Sequence, residues 1–373
     1  MIRVVFFVSV SVLATHTLGC DPPKIENGRI ECNSDEDTCL VTCDFAYITS
    51  DKIEFYCDDP GLKAVQCVRP MTILIGGESA LFDALDDVEL ISTKAQLRDR
   101  KIAMFPYGIV APMVFWTDGV LMACGGRRPE GRAKSYEKSC WIYEPCENEW
   151  KQTIALTQPR SNGVGVVDFR GKPLVYGGMN ENETTMTSEL WNTTSPEIYW
   201  IQGPVLEERK MGHCGLSAKG GQKALLTGGY PTYLSQETFD MSSEAHDYVL
   251  NLIHKRWYHA CGSYHGLLGE HFIVAGGLNE HLLAIDTVEI WNPLLHYWTE
   301  GPSLPESRSC GGMTILDGFP TILAGKSFLP QTSAMRLNVL EDMWDYWDFE
   351  LKTGRNYPGL ASIPETLFDR CLT

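Results

Sequence analysis

The chain has 373 residues, more than the roughly 250 to 300 at which a single hydrophobic core usually stops growing. Its formal net charge of -17 at pH 7 disfavours nucleic acid or an anionic membrane surface as the general partner, and leaves a basic ligand, or one recognised by shape, open. We therefore expect one small and one large domain.

Residues 1–19 have the pattern of a signal peptide. A single cation, Arg3, precedes a mostly apolar run from Val4 to Ala14, and the small residue Gly19 precedes the expected cleavage point. The run is too short to span a bilayer, although a membrane anchor is the alternative interpretation. We expect the mature protein to be secreted and extracellular, with no membrane span.

The cysteines and two glycosylation triplets agree with this route. All thirteen cysteines follow residue 19, and chains in the secretory pathway oxidise their cysteines to disulfides. Asn182 and Asn192 each begin an Asn-x-Thr triplet, which is an acceptor for N-linked glycans. We predict a disulfide-bonded glycoprotein.

Residues 20–68 contain six cysteines in a segment too small to bury much apolar surface, so disulfides are expected to substitute for a core. Three short sequence motifs resemble those of a sushi, or complement control protein, module: Cys20-Asp21-Pro22-Pro23, Asn27-Gly28 and Val41-Thr42-Cys43. The resemblance implies bonds from Cys20 to Cys57 and from Cys43 to Cys67, with Cys32 and Cys39 as an extra bridge. Ala46 replaces the glycine usual in that family, and an unrelated disulfide-stapled cap is the alternative.

From residue 69 onward the sequence repeats with a period of roughly 50 residues, which indicates an array of similar units. Each unit contains a short apolar run that ends in a glycine pair, and the sixth pair is degenerate. The pairs are Gly76-Gly77, Gly125-Gly126, Gly177-Gly178, Gly228-Gly229, Gly276-Gly277 and Ala324-Gly325. Short apolar runs cut off by glycine are typical of strands buried on both faces.

These six units, in which a tryptophan often follows the pair, resemble Kelch repeats. The resemblance covers residues 69–373 and implies an all-β fold, a six-bladed Kelch-type β-propeller next to the small disulfide-rich β module.

An arginine opens the innermost strand of most repeats, and the repeat at Gly108 lacks it. These arginines are Arg160, Arg209, Arg256, Arg308 and Arg355. No glycine pair follows Arg355, and no inner strand precedes Gly76. We therefore predict that residues 356–364 complete the blade begun by residues 71–77, so that the C-terminal segment closes the propeller and removes exposed sheet edges.

The loops after the glycine pairs are candidates for binding, because in Kelch proteins they lie on a rim that usually binds the partner. One loop is basic and contains Arg127, Arg128 and Arg132, which could dock an acidic peptide or a sulfated glycan. A solvated loop is the alternative.

The loop after Gly229 is predicted to be long and to expose Tyr230, Tyr233 and Phe239 as a contact surface. Packing of this loop against a neighbouring loop is an equal alternative.

The recurring arginines Arg160, Arg209, Arg256 and Arg308 are a further candidate set. They could face the partner, or they could be structural and pair with recurring acidic residues such as Glu89, Glu189 and Glu289.

Seven cysteines follow residue 69, an odd number that leaves at least one unpaired or bonded to another chain. Cys124 and Cys140 flank one strand connection and are predicted to form a disulfide. Cys214 and Cys261 lie at one level on adjacent inner strands, but the sequence does not decide their distance. It also leaves the partners of Cys146, Cys310 and Cys371 unassigned.

Because both modules resemble interaction modules, we expect a non-catalytic recognition or adhesion protein that binds an extracellular protein or glycan through the propeller rim, without a metal or cofactor. The alternative is a Kelch-type copper-radical oxidase or other glycan-active propeller enzyme, since Tyr258-His259 and Tyr264-His265 are adjoining Tyr-His pairs and His213 nearly shares the repeat position of His259. That family draws a further histidine from near its C-terminus, whereas no histidine follows His296 here. The oligomeric state is not predicted.

Overall fold

A computed structural model describes most of the chain. The described residues are 22–33, 38–44, 46–57, 59–130, 133–192, 199–218, 222–240, 245–248, 251–266, 269–292 and 297–372. The predicted signal peptide, Cys20 and Arg132 lie outside them. Among the described residues, helix is confined to one short α-helix, Ala95–Arg98, and two 3-10 turns, Pro60–Lys63 and Asp369–Leu372. None of these helices is long and apolar enough to cross a membrane.

The N-terminal module consists of short strands around disulfides. Its strands are β1 (Gly28–Asn33), β2 (Thr38–Cys43), β3 (Ile48–Thr49), β4 (Glu54–Tyr56) and β5 (Cys67–Val68). Strands β1, β2 and β4 form one antiparallel sheet, and β3 pairs with β5. Its small core packs Val41, Phe55 and Leu62 against the cysteines.

Two disulfides of the module join the pairs that the sushi resemblance implies, Cys43–Cys67 and Cys32–Cys39. Cys57 is also disulfide-bonded. Its expected partner, Cys20, lies outside the described residues.

The rest of the chain folds into small antiparallel sheets, labelled I to VI in chain order. Within the described residues, sheet I has three strands and sheets II to VI have four each. The strands of sheets I to III are β6 (Pro70–Ile75) and β7 (Val88–Ile91) in I; β8 (Met113–Thr117), β9 (Val120–Cys124), β12 (Cys140–Glu144) and β13 (Glu149–Thr153) in II; and β14 (Val164–Val167), β15 (Pro173–Tyr176), β16 (Ser188–Asn192) and β17 (Tyr199–Gln202) in III. A separate hairpin, β10 (Arg127–Glu130) and β11 (Ala133–Tyr136), lies within the loop after Gly126.

The second half of the chain repeats this arrangement. Its strands are β18 (Cys214–Ala218), β19 (Lys223–Thr227), β20 (Gln236–Asp240) and β21 (Ala245–Tyr248) in IV; β22 (Ala260–Gly266), β23 (Gly269–Ala275), β24 (Val288–Asn292) and β25 (Tyr297–Gly301) in V; β26 (Ser309–Leu316), β27 (Phe319–Lys326), β28 (Ser333–Asn338) and β29 (Met343–Glu350) in VI; and finally β30 (Gly359–Pro364).

The last strand of the chain joins the first sheet. Strand β30 pairs with β6, so that Gly359 lies opposite Ile75 and Pro364 opposite Pro70. The first strands of successive sheets contact one another, and the contacts run β8 to β14, β14 to β18, β18 to β22, β22 to β26, β26 to β30 and β30 back to β8.

The hydrophobic core lies within and between the sheets. The second strands are buried on both faces, as their apolar runs predict, and Leu74, Val175 and Leu226 have no exposed surface. Tryptophans from the fourth strands fill the spaces, and the Trp200 ring lies edge-on to Trp191 at 5.0 Å.

One predicted loop is shorter than expected. Phe239 lies in β20, opposite Ala224 of β19, so the loop after Gly229 ends at residue 235. The prediction that Phe239 belongs to this loop is wrong, because backbone pairing with the free edge of β19 extends the sheet through a mostly polar stretch.

The module packs on the ends of the sheets where their first and second strands connect. The Trp116 indole donates a hydrogen bond to the Thr49 carbonyl at 3.2 Å, and Ile48 joins the core of sheets I and II. Gly119, in the β8–β9 turn, lies so near Asp51 that a Cβ there would be 2.3 Å from Asp51 Oδ1. The glycine pairs are at the opposite ends of the sheets, away from the described residues of the module that contact the β8–β9 turn.

Candidate functional site

The glycine pairs join neighbouring sheets. Gly76 and Gly77 have φ angles of 61° and 110°, and a Cβ on Gly77 would lie 2.7 Å from the Asn356 carbonyl oxygen. Only glycine adopts this conformation at such close approach without strain. The second glycine of a pair donates its N–H to the next sheet, as Gly126 does to the Arg160 carbonyl at 2.8 Å.

The recurring arginines are buried within these junctions. Arg256, which has no exposed surface, donates to the Gly276 carbonyl at 2.8 Å and to Glu289 at 2.7 Å. Glu289 in turn accepts the N–H groups of Ile253 and His254 at 2.6 and 3.0 Å. Each network therefore ties the incoming loop to the strand that ends in the glycine pair.

The other arginines repeat this network. Arg160 bonds Gly177 and Glu189, and Arg355 bonds Gly76 and Glu89, while Arg308 uses Ser333 and the nearby Glu306. Burial lowers the pKa of Arg160 and Arg256, and their glutamates oppose that shift. Side chains exposed by 2 % or less cannot reach a partner, so Arg160, Arg256 and Arg308 hold the frame together.

In sheet IV, the residue at this position is Lys210, not Arg209. Gly178 donates to the Lys210 carbonyl at 2.7 Å, and the Lys210 ammonium is buried beside the Ser235 hydroxyl. Arg209 is half-exposed and pairs with Glu183. The assignment of Arg209 to the series is wrong because loop lengths differ by a residue or two between repeats. In sheet II the position is Ile109, whose carbonyl accepts from Gly77.

Two residues after each of these positions, the backbone turns left-handed around a central cavity of about 230 Å³. The six residues, with φ between 50° and 60°, are Ala111, Asn162, Gly212, Tyr258, Cys310 and Tyr357. Cys310 donates its N–H to Tyr258, and Tyr357 donates to Cys310, both at 2.8 Å. The first strands thus converge on one axis with the cavity at its centre.

The residues that directly follow the glycine pairs form backbone bridges with the residue before each of these left-handed turns, and together they form a ring around the axis, here called the mouth ring. This mouth ring consists of Glu78, Arg127, Met179, Tyr230, Leu278 and Lys326. Arg127 pairs with Glu78 at 2.9 Å, so the charged half of the ring lies on sheets VI, I and II. Apolar and aromatic residues form the other half, on sheets III to V.

Aromatic rings connect the mouth ring to the axis. Tyr230 contacts Trp257 at 5.6 Å, Trp257 stacks on Tyr258 at 4.5 Å, and Tyr258 lies edge-on to Tyr357 at 4.9 Å. Tyr233 lies beside Tyr230 at 5.8 Å. Burial raises the pKa of Tyr258 and Tyr357, so both phenols stay protonated at neutral pH. Such a row offers flat apolar faces with polar edges to a ligand.

The basic loop is less available than its sequence suggests. Arg127 is bound to Glu78, and Arg128 donates to Glu137 at 2.6 Å while lying over the Tyr107 ring. Arg132 lies outside the described residues. The arginines that can be placed are thus paired with carboxylates, and Arg127 together with Tyr230 belongs to the mouth ring.

The two predicted glycosylation sites differ in setting. Asn182 is exposed at the tip of the loop after Gly178, where its N–H is bound by Asn180. Asn192 is half-buried at the end of β16, and the rest of its triplet lies outside the described residues.

Three disulfides lie in the part of the chain that forms sheets I to VI, two of them between strands and one between turns. Cys124 is joined to Cys140, directly opposite it in sheet II. The structure also joins Cys214 to Cys261 across the first strands of sheets IV and V, and Cys146 to Cys371. Of the described cysteines, Cys310 is the free one, and burial raises the pKa of its thiol. The sequence carries no signal for the Cys146–Cys371 pair, whose members are 225 residues apart.

The Tyr-His pairs do not assemble a copper site among the described residues. The His259 ring bonds the Thr227 hydroxyl at 2.9 Å, and the His213 ring lies against Gly177, so both imidazoles point between sheets. Burial lowers the pKa of His213 to about 3 and keeps the ring neutral. Tyr264 instead stacks on His271. The three described side chains that bring potential metal ligands close together are the disulfide-bonded Cys32, Cys39 and Cys57.

No family model matches the chain. Kelch-like protein 15 of Homo sapiens is 28% identical over 225 residues, covering 53% of this chain and 35% of that protein. The same protein of Mus musculus and of Rattus norvegicus matches to the same extent, and the chain thus spans about a third of the length of these relatives. The solved structure of YjhT is similar with a TM-score of 0.58 and 13% identity, over 89% of this chain and 99% of that chain, which concerns the fold alone. With the recurring glycine pairs, these similarities support Kelch-like repeats and a β-propeller fold.

Proposed function

We propose that the chain is a secreted, non-catalytic recognition protein that binds an extracellular partner at the rim around the mouth ring of a closed, six-bladed propeller. The observation that carries the proposal is the mouth ring itself. Six structurally equivalent residues, charged on one half and aromatic or apolar on the other, form a ring around the axis on a rigid frame, next to the strands that line the central cavity. Recognition residues commonly lie on such loops over a rigid scaffold.

Six blades and closure are the simplest account of the sheet contacts. The first strands contact one another in a ring, and sheet I takes strands from both ends of the propeller sequence. The small N-terminal module, in this account a sushi-like domain, covers the opposite face. The glycine-pair face is therefore the one that a partner can reach.

The extracellular setting rests on the apolar N-terminus and on the disulfides. Disulfides persist in oxidising compartments. Expression in animal cells, followed by N-terminal sequencing of the medium fraction, is expected to give Cys20 as the first residue. Treatment with a peptide N-glycosidase is expected to increase the gel mobility of the secreted protein. In the Asn182→Gln variant, this increase is expected to be smaller. Retention of an intact Met1 inside the cell would overturn this part of the proposal.

The binding proposal is tested by screening the purified protein against arrays of extracellular proteins and glycans. The double variant Arg127→Ala with Tyr230→Ala removes one residue from each half of the mouth ring. Arg29→Ala, which removes an exposed cation from the module, is the matched control. A partner bound by the wild type and the control but lost by the double variant supports the proposal. Equal binding by all three contradicts it, as does stoichiometric copper with peroxide release on sugars or alcohols.

A further inference from the structure

Three loop tips on the glycine-pair face expose large apolar side chains. The residues are Leu81 and Phe82 on sheet I, Leu282 and Leu283 on sheet V, and Phe328 and Leu329 on sheet VI; they are 55% to 91% exposed, and we term them the apolar crown. Soluble proteins rarely group so many exposed apolar side chains unless the surface binds something.

The three tips belong to neighbouring sheets. Strands β22, β26 and β30, the first strands of sheets V, VI and I, contact one another in that order. Each tip directly follows a glycine pair, so all three point away from the end that the module covers. The crown therefore lies on the loops of three adjacent sheets, next to one half of the mouth ring.

The turn itself does not require apolar tips. Ser79 donates to the Asp83 carbonyl at 2.9 Å, and Asn279 to the Leu283 carbonyl at 3.0 Å, which gives the loops of sheets I and V the same fixed turn. Sheet III has a similar turn that is one residue shorter, in which Asn180 donates to the Glu183 carbonyl at 3.0 Å, and it exposes Asn182 there. Phe82 and Leu282 also hold left-handed φ angles of 64° and 62°, which cost bulky residues free energy. Folding alone thus gives no reason for leucine and phenylalanine at these tips.

The charges around the crown are mostly negative. Residues 78–87 and 278–287 contain six carboxylates, whereas residues 326–332 contain Lys326. Three of these carboxylates, Glu78, Asp87 and Glu280, already bind Arg127, Arg355 and Lys255, which leaves Asp83, Asp86 and Asp286. The exposed Asp83 and Asp286 face solvent beside the apolar tips. This surface complements apolar groups flanked by cations and repels an anionic lipid surface or a sulfated glycan.

The glycan expected at Asn182 leaves the crown uncovered. Sheet III lies opposite sheet VI in the ring of first strands, and sheet VI is the middle of the crown. A glycan on sheet III would cover the far side of the rim.

We infer that the apolar crown docks a segment of a protein partner that presents apolar side chains beside lysine or arginine. This inference rests on the proposed recognition function and specifies where on the rim, and by what chemistry, the partner is held. Apolar side chains at the centre of such contacts supply most of the binding free energy, while charges set orientation and association rate.

Three substitutions test the crown without touching the core: Leu81→Ser, Leu282→Ser and Phe328→Ser in one chain. The matched control is Leu340→Ser, which removes an equally exposed leucine, 95% exposed, in the β28–β29 turn at the other end of sheet VI. Three labelled synthetic peptides serve as probes: alternating Leu-Lys, alternating Leu-Glu, and alternating Ser-Lys of the same length. Fluorescence polarisation measures their affinity at physiological salt.

The Leu-Lys peptide is expected to bind the wild type and the Leu340→Ser control equally, and the triple variant at least about tenfold more weakly, since each 1.4 kcal/mol is tenfold in affinity. The other two peptides are expected to bind the wild type more weakly than Leu-Lys. Equal binding of Leu-Lys to the triple variant overturns the inference. So does crown-dependent binding to phosphatidylcholine vesicles, which would make the surface a membrane contact, or a crown-dependent dimer in sedimentation, which would make it a self-association surface.

The same variants separate this inference from the proposed function. If a partner from the array screen binds the triple variant as well as the wild type, the inference about the crown is wrong, but the proposed recognition at the rim still stands. If the wild type binds no partner in the array screen, the proposed recognition function is contradicted, regardless of the peptide results.

Discussion

At the scale of single residues, burial separates side chains that are equivalent in the sequence. Arg256 has no exposed surface and is bound to Glu289, whereas the Arg209 side chain is 51% exposed and binds Glu183. Removing one member of a buried pair leaves its partner charged in a poorly solvated site, while an exposed pair contributes little.

We therefore expect Arg256→Ala to lower the free energy of unfolding by about 3 to 5 kcal/mol, and Arg209→Ala to lower it by about 1 kcal/mol or less. Urea unfolding followed by tryptophan fluorescence measures both. Equal losses would mean that the Arg256 network does not hold the frame.

The buried histidines make stability dependent on pH. Burial lowers the pKa of His213 to about 3, and it also holds the pKa of His259 well below the usual histidine value. The unfolded chain takes up these protons first, so the stabilisation is fully present above the unfolded pKa and is lost as pH falls toward the folded value.

Between pH 6 and pH 4, His213→Gln is expected to reduce the pH dependence of the unfolding free energy by about 1.4 kcal/mol per pH unit. The control is His281→Gln, which removes an exposed ring instead of a buried one and is measured in the same way. Parallel slopes for wild type and His213→Gln would show that this imidazole titrates normally in the folded protein.

At the scale of elements, disulfides connect parts of the chain that the sequence keeps far apart. The Cys146–Cys371 bond joins the β12–β13 turn of sheet II to the 3-10 turn after β30, and its members are 225 residues apart. Long loops lose the most entropy when they are closed, so this bond restricts the unfolded chain more than the other described disulfides.

The double variant Cys146→Ala with Cys371→Ala is expected to lose up to about 5 kcal/mol of unfolding free energy. Cys310→Ala is the control, because it removes a buried cysteine that forms no disulfide. Urea titrations under non-reducing conditions measure the free energy of unfolding of both variants. If the double variant is no less stable than the Cys310→Ala control, the Cys146–Cys371 bond does not stabilise the protein in this way.

The elements also show where sequence patterns stop being informative. Second strands could be predicted because apolar runs ending in glycine leave few alternatives. The strand β20 could not be predicted, because Gln236–Asp240 is mostly polar. It forms a strand because its backbone pairs with the edge of β19. Likewise, Lys210 and not Arg209 occupies the repeat position before the left-handed turn. The hydrogen bond from the Gly178 N–H uses the backbone carbonyl of this position, so it does not require an arginine there.

At the scale of the whole molecule, the pairing of β30 with β6 gives a measurable expectation. Backbone N–H groups of residues 359–363 should exchange with deuterium as slowly as those of 309–316 in β26, because both strands are paired inside the ring. Rapid exchange in 359–363 would mean that β30 and β6 do not stay paired and that the two ends of this part of the chain do not close on each other.

The sequence by itself determined the repeat, its period and the strands that end in glycine pairs, because local conformation and short-range burial leave a periodic trace. It also determined that residues 356–364 complement residues 71–77. Only the tertiary structure decided which polar residues face the axis, which arginine is buried, and which cysteines meet, since these depend on distances between sheets. The mouth ring and the apolar crown exist only once six loops from distant parts of the chain lie on one face.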